Sequence, residues 1–216
     1  MRITRLEVGL LAANTYLVKD DETEAGAVID PGAEGDRIAA RCRQEGLRPQ
    51  FIINTHGHVD HVGGDAALKR AFPEAALCIG SRDADMLRST ARELAALFGG
   101  RSDGPAADIL LGEGRRLTFG ACVLDVIETP GHTPGGVCLL AREETPQQLF
   151  CGDLVFRGDF GRFDLPGGSY EQIVESIRRK VLTLSDDTVL WPGHGDQTTV
   201  GEERRRGLHG ELEGGP

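Results

Sequence analysis

Short apolar runs recur along this chain, and each is cut off by glycine, proline or a polar cluster. Runs of that kind read as buried strands. They predict strands at 3–8, 14–18, 27–30, 51–54, 76–79, 115–119, 121–127, 137–141, 148–151 and 188–191. Helical spacing predicts helices between them: 36–45 with Gly46 just past its end, 64–71 stopped before Pro73, and 83–98, as one helix or two short ones, ended by Gly99 and Gly100. A further helix starts at Ser169, where Ser169 and Gln172 have capping-box spacing. Ile173, Ile177 and Val181 form its buried stripe, and a short helix at 200–206 follows the last strand. The polar stretch 101–108 reads either as the border of a cleft or as a plain connector. Strands first, a strand-rich middle, then helix, strand and helix suit two packed mixed sheets covered by helices. No linker interrupts the pattern, so 1–206 reads as one domain. The tail 207–216 reads as disordered, with His209 a solvated residue in it.

Composition narrows the partners. The net charge of −10 argues against a nucleic-acid surface, which would show a basic stripe. The run 202–206 is mixed in sign and reads as a solvated helix end. Arg2 and Arg5 precede an apolar stretch too short for a secretory signal, and Glu7 interrupts it. No stretch has the length of a membrane span. The five cysteines are odd in number and scattered through apolar runs, which predicts a reducing cytoplasm and no disulfide framework.

Candidate chemistry follows the strands. The run at 51–53 leads into Thr55-His56-Gly57-His58-Val59-Asp60-His61, which holds three of the six histidines. The run at 123–127 leads into His132, that at 149–151 into Asp153, and that at 189–191 into His194. One device is thus used four times: a strand, a glycine- or proline-shaped turn, then a ligand-type residue. Loops at one end of a rigid sheet are where such residues meet. Imidazole and carboxylate suit borderline metals. In an extended loop His56, His58 and Asp60 point the same way, while His61 breaks the alternation. The competing reading is a polar loop that happens to be rich in histidine.

These residues resemble the metal-binding motifs of the metallo-β-lactamase-fold hydrolases, with Asp30-Pro31-Gly32 as a further counterpart. The resemblance spans nearly the whole chain. The stretches 152–158 and 161–169 narrow it to the short, glyoxalase II-like thioester hydrolases. It implies a four-layer αββα sandwich. It also implies that His56, His58 and His132 bind one metal, that Asp60, His61 and His194 bind a second, and that Asp153 bridges them. Two divalent ions are then expected, zinc or else iron or manganese, with a hydroxide between them attacking a small acyl-thioester. Asp60 is a candidate proton acceptor as well as a ligand. Glyoxalase II enzymes carry a helical C-terminal domain for glutathione, and none follows His194 here, so the acyl carrier stays open.

Several readings stand side by side. Asp30 either supports the ligands or closes an Asx-type turn. Thr55 either bonds a ligand or ends a strand. Cys151 reads as buried and structural. Arg162 either anchors an anionic substrate group or pairs with Asp164. The alternative functions are a mononuclear iron persulfide dioxygenase, which shares the Gly-Arg-x-Asp loop, and another hydrolase of the fold, a phosphodiesterase, nuclease, lactonase or β-lactamase. A metal-dependent binding module without catalysis is the non-enzymatic alternative.

Overall fold

The computed structural model describes residues 1–89 and 105–207. The first sheet holds β1 (Arg2–Val8), β2 (Ala13–Lys19), β3 (Ala25–Ile29), β4 (Arg48–Asn54), β5 (Ala76–Gly80) and β6 (Ile109–Leu111), side by side in that order. β1 to β3 pair antiparallel, and β3 to β6 run parallel. Parallel neighbours need a crossover. Helix α1 (Gly35–Gln44) supplies one between β3 and β4. Helices α2 (Val59–Val62) and α3 (Asp65–Ala71) lie in the next, between β4 and β5.

The second sheet starts with the antiparallel run β7 (Arg116–Phe119), β8 (Cys122–Glu128), β9 (Val137–Ala141) and β10 (Gln148–Gly152). A small hairpin, β11 (Val155–Phe156) with β12 (Asp159–Phe160), then stands apart. Helix α4 (Tyr170–Ser176) continues into a π-type turn at Ile177–Val181. β13 (Val189–Pro192) then joins parallel to β10, and β14 (Thr198–Thr199) pairs antiparallel beyond it. Helix α5 (Val200–Arg206) ends the described chain, with Gly207 left-handed at its C-terminus.

The pleat sorts alternate residues into layers. Tyr16, Val18, Ile53 and Cys78 of the first sheet face Leu124, Val126, Leu139 and Phe150 of the second, forming the core between the sheets. Their neighbours Leu17, Ile52, Leu77 and Ile79 face outward onto Ile38, Cys42 and Leu68 of the covering helices. Cys138, Leu140, Leu149 and Leu190 face the other way, onto Ile173, Ile177 and Val181. The order is therefore helix, sheet, sheet, helix, as the resemblance implies.

Most elements fall where the pattern puts them. The departures are short: β6, the β11–β12 hairpin, β14 and the one-turn helix α2 carry too few residues for a period to show. The predicted helix at 83–98 begins as a 3-10 turn at Ser81–Asp83 and helix at 84–89, and the rest of it lies outside the described residues. So do 101–104 of the polar loop and 208–216 of the tail. Ser169 Oγ accepts from Gln172 N, half of the expected capping box, while its hydroxyl donates to Glu171. All five cysteines are buried and unbridged. Among the described residues, no helix is long and apolar enough to cross a membrane.

Candidate metal centre

Strand direction brings the candidate ligands to one edge. β8 and β10 both run antiparallel to β9, and β13 runs parallel to β10. Their C-terminal ends therefore share an edge, and these ends lead to His132, Asp153 and His194. β4 leads to His56 and His58, and Val137 N donates to Thr55 O at 2.8 Å, joining the two sheets there. Gly193 is forced by this crowding, since a Cβ on it would run into Asp153 Oδ1 and the His61 ring.

All seven candidate residues come together. His56, His58 and His132 form one group, and Asp60, His61 and His194 another. A third, His56, His61 and Asp153, overlaps both, and within each group the donor atoms lie within 4.8 Å of one another. Asp153 stands in the middle: Oδ1 lies 3.4 Å from His61 Nε2, and Oδ2 lies 3.6 Å from both His132 Nε2 and His194 Nε2. The extended alternation expected for 56–60 ends at His58. Asp60 and His61 lie on α2, whose turn swings Asp60 towards His194, with Oδ2 3.2 Å from its Nε2. Gly32 makes room for that turn, because a Cβ there would overlap Asp60 O.

The outer nitrogens of four histidines are held by the protein, which decides what the inner ones can do. Thr55 Oγ1 donates its single proton to Asp30 Oδ2 at 2.7 Å, so it accepts from His56 Nδ1 at 3.1 Å. That leaves a lone pair on His56 Nε2, which is buried without a partner. His61 Nδ1 donates to Asp30 Oδ2 at 3.0 Å, His132 Nδ1 to Arg162 O at 2.7 Å, and His194 Nδ1 to Leu11 O at 3.1 Å. Their inner Nε2 atoms then carry lone pairs too. His61 Nε2 and His194 Nε2 face each other at 3.4 Å, beside two carboxylates. His132 Nε2 faces His58 Nδ1 at 2.9 Å. Lone pairs and anions in such contact need a cation among them, either a proton or a metal.

Electrostatics separate the two groups. Burial, then the neighbouring His61, His132 and His58, push the His56 imidazole well below its usual pKa. Burial and His132 lower His58 in the same way. Burial would also lower His61, but Asp153, Asp30 and Asp60 outweigh it and hold it up at about 9. Donating a hydrogen bond to the Asp60 carboxylate raises His194. Burial works against ionising Asp60, yet His194 and His61 hold its carboxyl down at about 2.

The open readings resolve as follows. Asp30 is a buried hub: besides His61 and Thr55 Oγ1, it accepts Thr55 N on Oδ1 at 2.7 Å. Thr55 both ends β4 and links Asp30 to His56. Cys151 is buried with its thiol pushed well up by burial, so it offers no thiolate. The Arg162 guanidinium pairs bidentately with Asp164, at 2.8 and 2.9 Å, on the exposed surface. Only its main-chain carbonyl touches the cluster. Sequence reasoning missed Asp83. Its buried carboxylate accepts Gly57 N on Oδ2 at 3.1 Å and Gly135 N on Oδ1 at 2.6 Å, tying the His56–His58 loop to the His132 loop.

Residues 8–194 match the family model described as Metallo-beta-lactamase superfamily, and the chain belongs to that superfamily. It is thereby a metal-dependent hydrolase by class. Among its relatives is hydroxyacylglutathione hydrolase GloC of Haemophilus influenzae, 37% identical over 95% of this chain and 96% of that protein. The crystal structure of TTHA1623 in a di-iron-bound form superposes with a TM-score of 0.82 at 36% identity, over 94% of this chain and 98% of that one. The BLEG-1 B3 metallo-beta-lactamase superposes with a TM-score of 0.85 at 30% identity, over 94% and 97%.

Proposed function

We propose that this protein hydrolyses small thioesters of the hydroxyacylglutathione type, using two divalent metals held by the seven-residue cluster. The observation that carries the reading is the pair of three-residue groups meeting at Asp153. The donor set fits metals: His56 Nε2 and Asp153 Oδ1 are buried without hydrogen-bond partners, a state that is costly unless an ion satisfies it. His56, His58 and His132 would hold one ion, Asp60, His61 and His194 the other, and Asp153 both. Imidazole with carboxylate suits zinc, iron or manganese, and the di-iron form of TTHA1623 supports iron. Bound there, the metals would acidify water to a pKa of about 7 and polarise the thioester carbonyl.

The chain's own residues do the rest. Asp60 stays ionised at neutral pH, so its Oδ2 can take a proton from the attacking water and return it to the departing sulfur. Asp30, Thr55, Arg162 O and Leu11 O fix the imidazole orientations. The name of the Haemophilus influenzae relative supports the thioester class. The free cysteines support a reducing compartment, the cytoplasm.

The test is a panel of acyl-thioesters, S-lactoylglutathione included, assayed at measured metal content beside oxygen uptake with glutathione persulfide. Thioester turnover with two metals per chain supports the proposal. Oxygen consumption with one iron and no thioester hydrolysis makes the protein a persulfide dioxygenase instead.

A further inference from the structure

A cavity of about 450 Å³ opens beside Asp60. Its walls include Val8, Leu10, Leu11, Ala33 and Val59. Four large apolar side chains are exposed among the described residues, and three of them are Leu10, Leu11 and Val59. Leu10 is fully exposed, Leu11 63% and Val59 40%. Single exposed apolar residues are ordinary, but a cluster around one concavity marks a binding surface.

The cavity adjoins the metal centre at Asp60. Asp60 belongs both to its wall and to the group with His61 and His194. Leu11 also supplies the carbonyl that holds His194 Nδ1. The turn that presents the leucines is braced from below. Ala12 N donates to Gly9 O, Gly9 N to Glu34 Oε1, and Asn14 N to Gly193 O. These bonds place the backbone of the turn beside the candidate centre, while its two leucine side chains stay exposed for an occupant to order.

Charge decides which part of a thioester fits. The charged side chains lining the cavity are Glu34 and Asp60, and no lining residue is basic. Glu34 is engaged by Gly9 N and Arg37. A glutathione moiety carries two carboxylates and one ammonium, a net negative charge, and its carboxylates would find no basic partner in this lining. A saturated acyl chain meets leucine, valine and alanine. We infer that this cavity seats the acyl chain of the substrate, and that the protein prefers thioesters of apolar acyl groups several methylenes long. The inference rests on the thioester reading and replaces its short hydroxyacyl group with a longer apolar one. In the step itself, water's oxygen adds to the acyl carbon and the carbon–sulfur bond breaks. One proton of that water ends on the thiol, the other passes to solvent, and the acid leaves as carboxylate.

The experiment uses the full chain loaded with metal and S-acyl-N-acetylcysteamine thioesters, whose carrier is small and uncharged. Acetyl, butyryl and hexanoyl substrates should show kcat/KM rising about fourfold per methylene, the ratio equivalent to about 0.8 kcal/mol. The double variant Leu10→Ser with Leu11→Ser should cut the hexanoyl-to-acetyl ratio at least tenfold. S-hexyl-N-acetylcysteamine, a thioether that cannot be hydrolysed, should bind the wild type calorimetrically with a negative heat-capacity change and bind the double variant at least tenfold more weakly. Hydrolysis at equal kcat/KM for every length, without thioether binding, overturns the acyl seat and leaves the thioester reading standing. Thioether binding without hydrolysis of any thioester does the reverse. A wild-type dimer that the double variant converts to monomer, with no thioether bound, shows that a second copy covers the leucines and overturns the inference.

Discussion

The two halves of the metal cluster are built on different chemistry. His56, His58 and His132 form an all-imidazole group, and burial with the neighbouring imidazoles lowers His56 and His58, favouring their neutral forms. Asp60, His61 and His194 include a carboxylate, and here the imidazoles are pushed towards the protonated form. The first group is supported from inside the protein, through Thr55, Asp83 and Arg162 O. The second is supported by Asp30 on one side and by Leu11 O, in an exposed turn, on the other. The lesson is that one cluster combines an all-imidazole half, in which His56 and His58 are pushed towards the neutral form, with a carboxylate-bearing half at the rim of a cavity. A metal entering the second half competes with a proton on His61, whereas the lowered His56 and His58 favour a metal over a proton.

Asp153 is where the halves meet, so Asp153→Ala should have the largest effect. Activity should fall by at least about 10³-fold, beyond the 10–100-fold expected for a supporting hydrogen bond. Metal content should fall with it, as read by elemental analysis. A variant that keeps both metals and most of its activity would break the picture of two halves sharing one carboxylate.

Chelation tests both halves together. Metal present 1,000-fold above its dissociation constant stabilises the fold by about 4 kcal/mol. For a chain of this length that corresponds to roughly 8–16 °C in melting temperature. An unchanged thermal transition after verified metal removal would mean that the loops are held without the ions.

Two supporting carboxylates separate the halves. Asp83→Asn puts an amide N–H against one of two backbone donors, Gly57 N or Gly135 N. It should weaken metal at the His56, His58 and His132 group by about 10–100-fold and spare the other. Asp30→Asn weakens the acceptor of His61 Nδ1 directly and that of His56 only through Thr55, so it should lower affinity at the second group by about 10–100-fold and at the first group by less. Cobalt titrations followed by absorption resolve the two sites. Equal weakening of both sites by both variants would erase the distinction.

The smallest effect belongs to Arg162→Ala. Its guanidinium is spent on Asp164 at the surface, and exposed pairs add little stability. Its contact with His132 is through the main chain and survives the substitution. Melting temperature and metal affinity should stay close to the wild type. A large rise in KM would show that the pair opens to meet substrate.

These tests also mark where the sequence could be read. The candidate ligands stand out because each follows an apolar run and sits in a turn shaped by glycine or proline. The strands and the stripe at Ile173, Ile177 and Val181 show through period alone, and the layer order follows from them. Asp83 does not stand out. It sits at the start of a helix like any first-turn acid, and its role depends on two backbone N–H groups from distant loops. Leu10 and Leu11 read only as a short apolar stretch between two strands, because the wall opposite them comes from the distant Ala33 and Val59. Asp60 misled the alternation argument because a single helical turn leaves no period of its own.

The hydrogen bond from His194 Nδ1 to Leu11 O has a consequence of its own. It ties a candidate metal ligand to the backbone of the turn that walls the cavity. Whatever occupant steadies that turn also steadies His194. Linkage then requires reciprocity: if a metal ion tightens the grip of the turn on its occupant by some factor, the occupant tightens the grip of the protein on the metal by the same factor. The hold on the ion thus becomes a readout of what lies against the leucines, and a bound thioether should slow the loss of metal to a chelator.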